Sequence, residues 1–182
     1  MNELWDLYDE NRRALGKTIR RGDTVPPGTY HILVAVWTVN SSGQLLITRR
    51  SPEKFYCPNC WENTGGAVLS GETSRQAAAR ELREETGIDA PPEEFLLLTT
   101  TKEKRFFTDT YILFTDVPLE QLRMQLGETV EARWAKLEEI EQLGKQGAFV
   151  PIALSQLAPV RERFERLIAS RGRCEEALLQ IG

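Results

Sequence analysis

Residues 65–88 read GGAVLSGETSRQAAARELREETGI. Residues 75–85 contain three alanines, Leu82 and several long unbranched side chains, with neither Gly nor Pro, which predicts an α-helix. Thr73 followed by Gln76 predicts a capping box at the start of that helix. Gly87 is placed to end it in a left-handed conformation.

Three glutamates share one face of the predicted helix. Glu81, Glu84 and Glu85 are spaced i, i+3, i+4, which brings their carboxylates together. One interpretation is an acidic face covered by water. Like charges at this spacing repel by about 0.2–0.5 kcal/mol per pair, so a compensating partner is favourable. A divalent cation is such a partner, and carboxylate oxygens suit Mg²⁺ or Mn²⁺ better than Zn²⁺.

Residues next to the glutamates extend this interpretation. Arg80 lies four residues before Glu84 and can pair with it, which fixes the direction of one carboxylate. Gly65 and Gly66 allow the backbone to come close to ions or ligand. Glu72, near the helix start, can point back to the same place.

The same residues resemble the motif of the Nudix hydrolases. That motif is a Gly, five residues, a Glu, seven residues, and then Arg-Glu-apolar-x-Glu-Glu-x-Gly-apolar. Every position matches in this chain, at Gly66, Glu72, Arg80, Glu81, Leu82, Glu84, Glu85, Gly87 and Ile88.

The resemblance implies a fold and a reaction. The fold would be α/β, a helix–sheet–helix sandwich with a mixed β-sheet, and the protein would be a Nudix pyrophosphohydrolase. Its substrate would be a nucleoside diphosphate linked to another moiety, or a similar small diphosphate, and its cofactor Mg²⁺, for which Mn²⁺ can substitute. The partners implied are therefore a small-molecule diphosphate and, because many relatives pair, a second copy of the chain in a homodimer.

The resemblance also implies roles for individual residues. Glu81 and Glu85 would be the primary metal ligands, with Glu84 a ligand or a close neighbour. The carbonyl of Gly66, or of Gly65, would add an oxygen. Arg80 would orient Glu84, and Glu72 would orient the preceding loop or a water molecule.

The general base and the phosphate-binding residues lie outside this pattern. Glu81 could act as the base, or a carboxylate from outside the helix could. Asp109 and Glu128 are candidates for a base or an extra ligand, because these positions face the site in the relatives. Three cations directly before the motif are candidates for binding phosphate, the alternative being a solvated basic loop: Arg49, Arg50 and Lys54.

The similarity extends over roughly residues 3–150 and looks like the Nudix hydrolases closest to isopentenyl-diphosphate isomerase. The isomerase is therefore an alternative, but its catalytic Cys falls at Gly65 here, and two of its metal-binding histidines fall at Thr24 and Ala67, leaving only His31. A glycine cannot protonate an alkene. A second alternative is a catalytically inert nucleotide-binding module, but such proteins typically lose a motif glutamate, and here the motif is whole.

The composition limits the class of protein. A chain of 182 residues predicts one domain, 1–182, and a net charge of −4 without a basic stripe argues against nucleic-acid binding. No apolar run approaches the roughly 20 residues of a membrane span, and the first residues lack the order of a signal peptide. These features predict a cytoplasmic protein with reduced thiols. Cys57-Pro-Asn-Cys60 has redox or half-zinc spacing, yet no second such pair follows it, which favours a loop flanking the site.

Patterning outside the helix predicts the remaining elements. An N-terminal hairpin is predicted over 3–20, a core strand over 31–39, and a strand at 44–48 that pairs back on it as a hairpin. Residues 51–63 are predicted to cross irregularly to the motif at 66–88. Two strands are predicted over 94–101 and 106–115, a helix over 137–143, and C-terminal helices between 152 and 180.

Overall fold

A mixed β-sheet lies between one helix and a group of three helices, as the family resemblance implies. The computed structural model describes residues 3–170. Its strands are β1 (Leu4–Tyr8), β2 (Ala14–Arg20), β3 (His31–Val39), β4 (Leu45–Arg50), β5 (Trp61–Glu62), β6 (Thr64–Ala67), β7 (Leu96–Lys102), β8 (Phe106–Phe114) and β9 (Thr129–Ala135). Its α-helices are α1 (Ser74–Thr86), α2 (Leu137–Lys145), α3 (Pro151–Leu157) and α4 (Arg161–Ser170). The predicted helical segment near 174–180 lies outside the described residues.

The centre of the sheet is β3, which is β-branched and aromatic and is buried along almost its whole length. It pairs in parallel with β8 over nine residues and antiparallel with the short strand β6. Strand β7 continues the sheet beyond β8. The pairing with β6 holds the start of the motif against the central strand.

The predicted hairpin between β3 and β4 is present, but it is short. The two strands pair antiparallel at Val39 and Leu45, next to the turn, and β4 pairs along its length with β9. Strand β5 also pairs with β4, so the stretch 51–63 is not entirely irregular. The physical reason is that β4 diverges after the turn, because β6 occupies the hydrogen-bonding edge of β3.

Each face of the sheet has its own apolar core. On one face, Ala77, Ala78 and Leu82 of α1 are buried against Val34 and Val36 of β3. On the other face, the side chains of α2, α3 and α4 pack around Trp37, in a core that contains Ile140, Phe149, Ala153, Leu157 and Phe164. The two cores together fix α1 on one side of the sheet and α3 on the other.

The N-terminal hairpin β1–β2 forms a separate two-stranded sheet that packs on the loop preceding α1. Asp6 accepts hydrogen bonds from the Ser70 hydroxyl at 2.7 Å and from the Gly71 amide at 3.0 Å. Trp5 stacks on His31 with 4.5 Å between ring centroids. The hairpin therefore supports the loop that carries Glu72. None of the helices within residues 3–170 combines the length and apolar character of a transmembrane span.

Candidate active site

Helix α1 begins and ends as its sequence predicts. Thr73 Oγ1 accepts from the Gln76 amide, and the Gln76 side chain accepts from the Thr73 amide, which completes the capping box. Gly87 has φ of 77°, and its amide donates to the Arg83 carbonyl. Because the alanines and Leu82 point into the core, the face that carries Glu81 and Glu85 turns toward β6 and β5.

Arg80 is the hub of the acidic face. Its guanidinium bonds both oxygens of Glu72, at 2.8 Å and 3.0 Å, and donates to the Ala67 carbonyl at 2.9 Å. The same group donates to Glu81 Oε1 at 2.9 Å and to Glu84 Oε2 at 3.2 Å. One cation therefore ties the loop before the helix to two of the three clustered glutamates, and the predicted pairing of Arg80 with Glu84 is present.

Gly66 is required because Glu81 lies directly against its backbone. A Cβ atom at Gly66 would lie 2.1 Å from Cδ and from Oε1 of Glu81, far inside van der Waals contact. At Gly65 a Cβ would instead lie 2.9 Å from the Val34 carbonyl oxygen, because β6 is closely paired with β3. The two glycines thus serve different contacts, one with a carboxylate and one with the sheet.

Glu85 is half-buried, and one of its carboxyl oxygens is both shielded and unpaired among the described residues. Its Oε2 is shielded from solvent and has no hydrogen-bond partner among the described residues, while Thr64 bonds the carboxyl group. Burial raises the pKa of Glu85 well above its usual value, and the nearby charges of Glu62 and Glu81 raise it further. A buried, unsatisfied carboxyl oxygen is unfavourable unless a cation or a proton compensates it.

Glu62 is a site residue that the sequence analysis missed. It is carried by β5, and its Oε2 lies 2.6 Å from the Arg50 guanidinium. Burial raises the pKa of Glu62, and the Arg50 charge opposes that rise. An acidic residue three positions before Gly65 is the sequence feature that points to Glu62. Residues 51–63 are predicted to cross irregularly, so no strand fixes the direction of this side chain in the sequence-based prediction.

Two of the three predicted phosphate-binding cations lie beside the carboxylates. Arg50 contacts Glu62, and its Nε donates to the Tyr56 carbonyl at 3.0 Å. Lys54 forms an ion pair with Glu128, which places that predicted residue at the margin of the site. Burial lowers the pKa of Lys54, as does the neighbouring Arg50 charge.

Arg49 points away from this group. Its side chain is 40% exposed and pairs with Glu131 at 3.3 Å, and its Nε donates to the Asn59 carbonyl. The pairing of β4 with β9 is irregular between Arg49 and Arg50, and the two side chains have different acidic partners, Glu131 for Arg49 and Glu62 for Arg50.

A cavity of about 250 Å³ opens beside the two motif glycines. Its charged wall contains Arg50 and Glu62, next to residues 64–66. Its mostly apolar wall comes from β3, β8 and α3, including Leu33, Ala35, Thr108, Ile152, Ala153 and Gln156. Gln156 is buried, and its amide donates to the Thr108 hydroxyl at 2.9 Å. A ligand in this cavity would have one end at the charged wall and the other against mostly apolar side chains.

Asp109 lies on β8, beside Val34 of β3, where other residues hold its carboxylate. Arg12 forms a two-pronged ion pair with it, and the Thr100 hydroxyl donates to it at 2.7 Å. Burial raises the pKa of Asp109, but hydrogen bonds from Arg12, Ser74 and Thr100 outweigh burial and lower it. Ser74 is the first residue of α1, so Glu81 lies two turns, about 10 Å, further along the helix.

The glutamate face is not arranged as a preformed metal cage. Within residues 3–170, no three His, Cys, Asp or Glu side chains already stand together in a geometry that holds a metal ion. Arg80 occupies Glu81 and Glu84, which turns these carboxylates toward the guanidinium. A cation at this face would therefore need these two side chains to reorient.

Comparison with known proteins identifies related chains. A model of the NUDIX domain matches residues 29–154. An uncharacterized Nudix hydrolase of Listeria monocytogenes is 40% identical over 156 residues, covering 82% of this chain and 89% of that protein. The crystal structure of DR0079 from Deinococcus radiodurans superposes with a TM-score of 0.67 at 28% identity, covering 81% of this chain and 92% of that one. An isopentenyl-diphosphate Delta-isomerase of Streptomyces griseus is 34% identical over 86 residues, 47% of this chain and 44% of that enzyme.

Proposed function

The chain belongs to the Nudix family of hydrolases acting on pyrophosphates, and we propose that it hydrolyses the diphosphate bond of a nucleoside diphosphate linked to another moiety, or of a similar small diphosphate, with Mg²⁺ as cofactor. The observation that carries the proposal is Glu85. Its buried Oε2 has no hydrogen-bond partner within residues 3–170. Two further carboxylates, Glu62 and Glu81, lie close enough to raise the pKa of Glu85. A helix face built only for solvent would not bury a carboxylate in this way.

The residues present fit a divalent cation. Glu81, Glu84 and Glu85 supply oxygen donors, the set that Mg²⁺ and Mn²⁺ prefer, and the absence of a Cβ at Gly66 leaves room for the Glu81 carboxylate against the backbone. We propose these glutamates and the Gly66 carbonyl as the ligands. A bound cation would supply charge compensation for the diphosphate and would make a nearby water more acidic.

Arg80 and Glu72 act as positioning residues in this proposal. Their side chains are both 17% exposed and are joined by two contacts, at 2.8 Å and 3.0 Å, so each limits the rotamers of the other. When Glu81 and Glu84 turn toward a cation, Arg80 keeps its bonds to Glu72 and to the Ala67 carbonyl. The loop before the helix thereby stays in place.

Arg50 and Lys54 are the proposed phosphate-binding cations. Arg50 lines the cavity at the carboxylate wall, where its charge is partly balanced by Glu62. Lys54 pairs with Glu128, whose side chain is 42% exposed, so a phosphate oxygen can replace that partner at little desolvation cost. The remaining moiety of the substrate would lie against the apolar wall formed by β3 and α3.

The arrangement favours Glu81 or Glu128 over Asp109 as the general base. Asp109 has a lowered pKa and is already engaged by Arg12 and Thr100, next to the start of α1. A base must accept a proton from the attacking water within hydrogen-bond distance, and these contacts disfavour Asp109 in that role. Asp109 is better suited to fixing the loop that contains Arg12.

The isomerase alternative is disfavoured by the surroundings of Gly65. A side chain at that position would meet the Val34 carbonyl oxygen at 2.9 Å, so the catalytic Cys of the isomerase has no room without a shift of β6. The match to the Streptomyces isomerase covers less than half of this chain. It supports placing the protein in the hydrolase branch nearest to that enzyme rather than assigning it isomerase activity.

A substrate panel tests the proposal. Purified protein is incubated with nucleoside diphosphates linked to sugars, alcohols or a second nucleotide, and with isopentenyl diphosphate, in Mg²⁺, Mn²⁺ or EDTA. We expect cleavage products from at least one compound with metal and none with EDTA. The Glu85→Gln variant serves as the matched inactive control. Product formation that is unaffected by EDTA, isomerised isopentenyl diphosphate, or no product from any compound would contradict the proposal.

A further inference from the structure

Cys57 and Cys60 are at the two ends of a tight turn beside the candidate active site. The Cys60 amide donates to the Cys57 carbonyl at 3.3 Å, which closes a four-residue turn. The ends of such a turn have Cα atoms less than about 7 Å apart, and a disulfide needs about 4.4–6.8 Å. Cys57 and Asn59 adopt left-handed backbone conformations, with φ of 45° and 61°, so the turn is a specific structure.

The two thiols contact each other rather than the core. A hydrogen bond joins the Cys57 and Cys60 side chains, both thiols are free, and both residues are only half-buried. Cys60 Sγ also lies 3.7 Å from the Gly147 carbonyl oxygen. A dissolved reagent can therefore reach a pair of sulfur atoms that are already side by side.

A zinc site does not explain this pair. Structural zinc takes four protein ligands, and the described residues contain no third Cys, His, Asp or Glu arranged with these two thiols to hold a metal. Simple packing does not explain it either, because neither residue belongs to an apolar core cluster.

We propose that Cys57 and Cys60 form a redox modification site, in which a low-molecular-weight disulfide such as oxidised glutathione converts the two thiols into a disulfide within the turn. In the first step the Cys57 thiolate attacks one glutathione sulfur, and a glutathione thiolate leaves. In the second step the Cys60 thiolate attacks the Cys57 sulfur of the mixed disulfide, and the second glutathione leaves. The protein loses two protons and two electrons, and one glutathione disulfide takes them up to become two thiols.

The order of the two steps follows from the surroundings of Cys60. Burial raises the pKa of Cys60, as does its neighbour Cys57, while the Arg50 charge opposes the rise. A thiol that stays protonated attacks slowly in solution. It attacks readily once its target sulfur is held next to it, so Cys60 is assigned the resolving role.

The turn is connected to the phosphate-binding side of the site. Arg50 donates through Nε to the carbonyl of Tyr56, directly before the turn, and Cys60 is followed by β5 with Glu62. Oxidation pulls the ends of the turn together and changes the position of that carbonyl relative to Arg50. This second part of the inference rests on the proposed function, whereas disulfide formation does not.

The chemical test uses the full chain with Cys174→Ser, so that only two thiols can react. The protein is treated with excess oxidised glutathione and measured by intact mass before and after reduction with dithiothreitol. We expect the mass of the unmodified chain less two hydrogens, with no bound glutathione, and complete reversal by the reductant. Adding Cys60→Ser should instead leave one stable glutathione adduct on Cys57, whereas adding Cys57→Ser should give an adduct on Cys60 much more slowly. Two unreacted thiols, or a stable adduct on the Cys174→Ser protein, would overturn the modification site.

The kinetic test compares the oxidised and reduced forms of the Cys174→Ser protein. Loss of one supporting hydrogen bond to Arg50 should change KM for the diphosphate by about threefold to tenfold with little change in kcat. The variant that also carries Cys57→Ser and Cys60→Ser should give one KM under both conditions. An oxidised protein, verified by mass, with an unchanged KM would overturn the connection to Arg50. Absence of all diphosphate cleavage in the reduced protein would count against the proposed function and leave the mass result standing.

Discussion

Gly66→Ala should inactivate the enzyme without unfolding it. The added Cβ would lie 2.1 Å from Glu81 Cδ and Oε1, whereas ordinary contact begins at 3.4 Å, so the carboxylate must move by more than 1 Å. Because Gly66 does not need a left-handed backbone, the conflict falls on the flexible end of Glu81. A displacement of about 1 Å in a catalytic group can cost about 100-fold, and we expect kcat to fall by about that factor.

Two further variants make this reasoning testable. Glu81→Asp withdraws the carboxylate by one methylene. Gly66→Ala should therefore lower kcat much less in the Glu81→Asp background than in the native protein, so the effects of the two substitutions are not additive. Gly65→Ala is the contrasting control, since its Cβ meets the Val34 backbone oxygen at 2.9 Å and should destabilise the fold by about 1–3 kcal/mol. Steady-state kinetics and thermal denaturation measure both effects. Equal losses from Gly66→Ala in the two backgrounds, or unfolding of Gly66→Ala alone, would refute the proposed contact.

Three other changes have defined outcomes. Glu85→Gln should reduce kcat by orders of magnitude yet raise the melting temperature in EDTA at neutral pH. Because burial raises the folded-state pKa of Glu85, its stabilising contribution is complete below the unfolded value of 4.5 and is lost as pH rises through the folded-state pKa. Denaturation scans from pH 4 to 8 should show this loss of stability with pH only in the native chain. Arg50→Ala leaves the half-buried Glu62 without its arginine partner and should cost about 1–3 kcal/mol in urea unfolding, part of which Glu62→Gln recovers in the same background. Asp109→Asn should cost about 1–3 kcal/mol of stability, because it weakens the contacts with Arg12, and should change kcat less than tenfold. A fall in kcat of several orders of magnitude with normal stability would instead identify Asp109 as the base.

Helix α1 could be predicted almost residue by residue because its signals are local. The capping box of Thr73 and Gln76, the left-handed Gly87 and the i, i+3, i+4 glutamates all act within one or two turns of the chain. The family resemblance added the sandwich architecture, which the sheet and its two helical layers confirm. The bounds of β3 followed from its composition for the same local reason.

The pairing of β4 could not be predicted in this way. A turn at residues 40–43 favours a hairpin, but β4 gains most of its backbone hydrogen bonds from β9, which lies more than 80 residues later in the chain. Strand pairing depends on which edges remain free after the whole sheet is formed. A local turn signal therefore identified the strand and its antiparallel contact with β3, but not its longer pairing with β9.

The sequence by itself determined the chemistry available to this protein, because a helix with correct caps brings Glu81, Glu84 and Glu85 to one face whatever surrounds it. Only the tertiary structure decided which other groups face them. Arg49 pairs with Glu131, whereas the pairing of β5 with β4 brings Glu62 to Arg50. The salt bridge between Arg12 and Asp109 joins residues that are 97 positions apart in the sequence. Burial and charge depend on distances in space, which spacing along the chain specifies only within a helix or a turn.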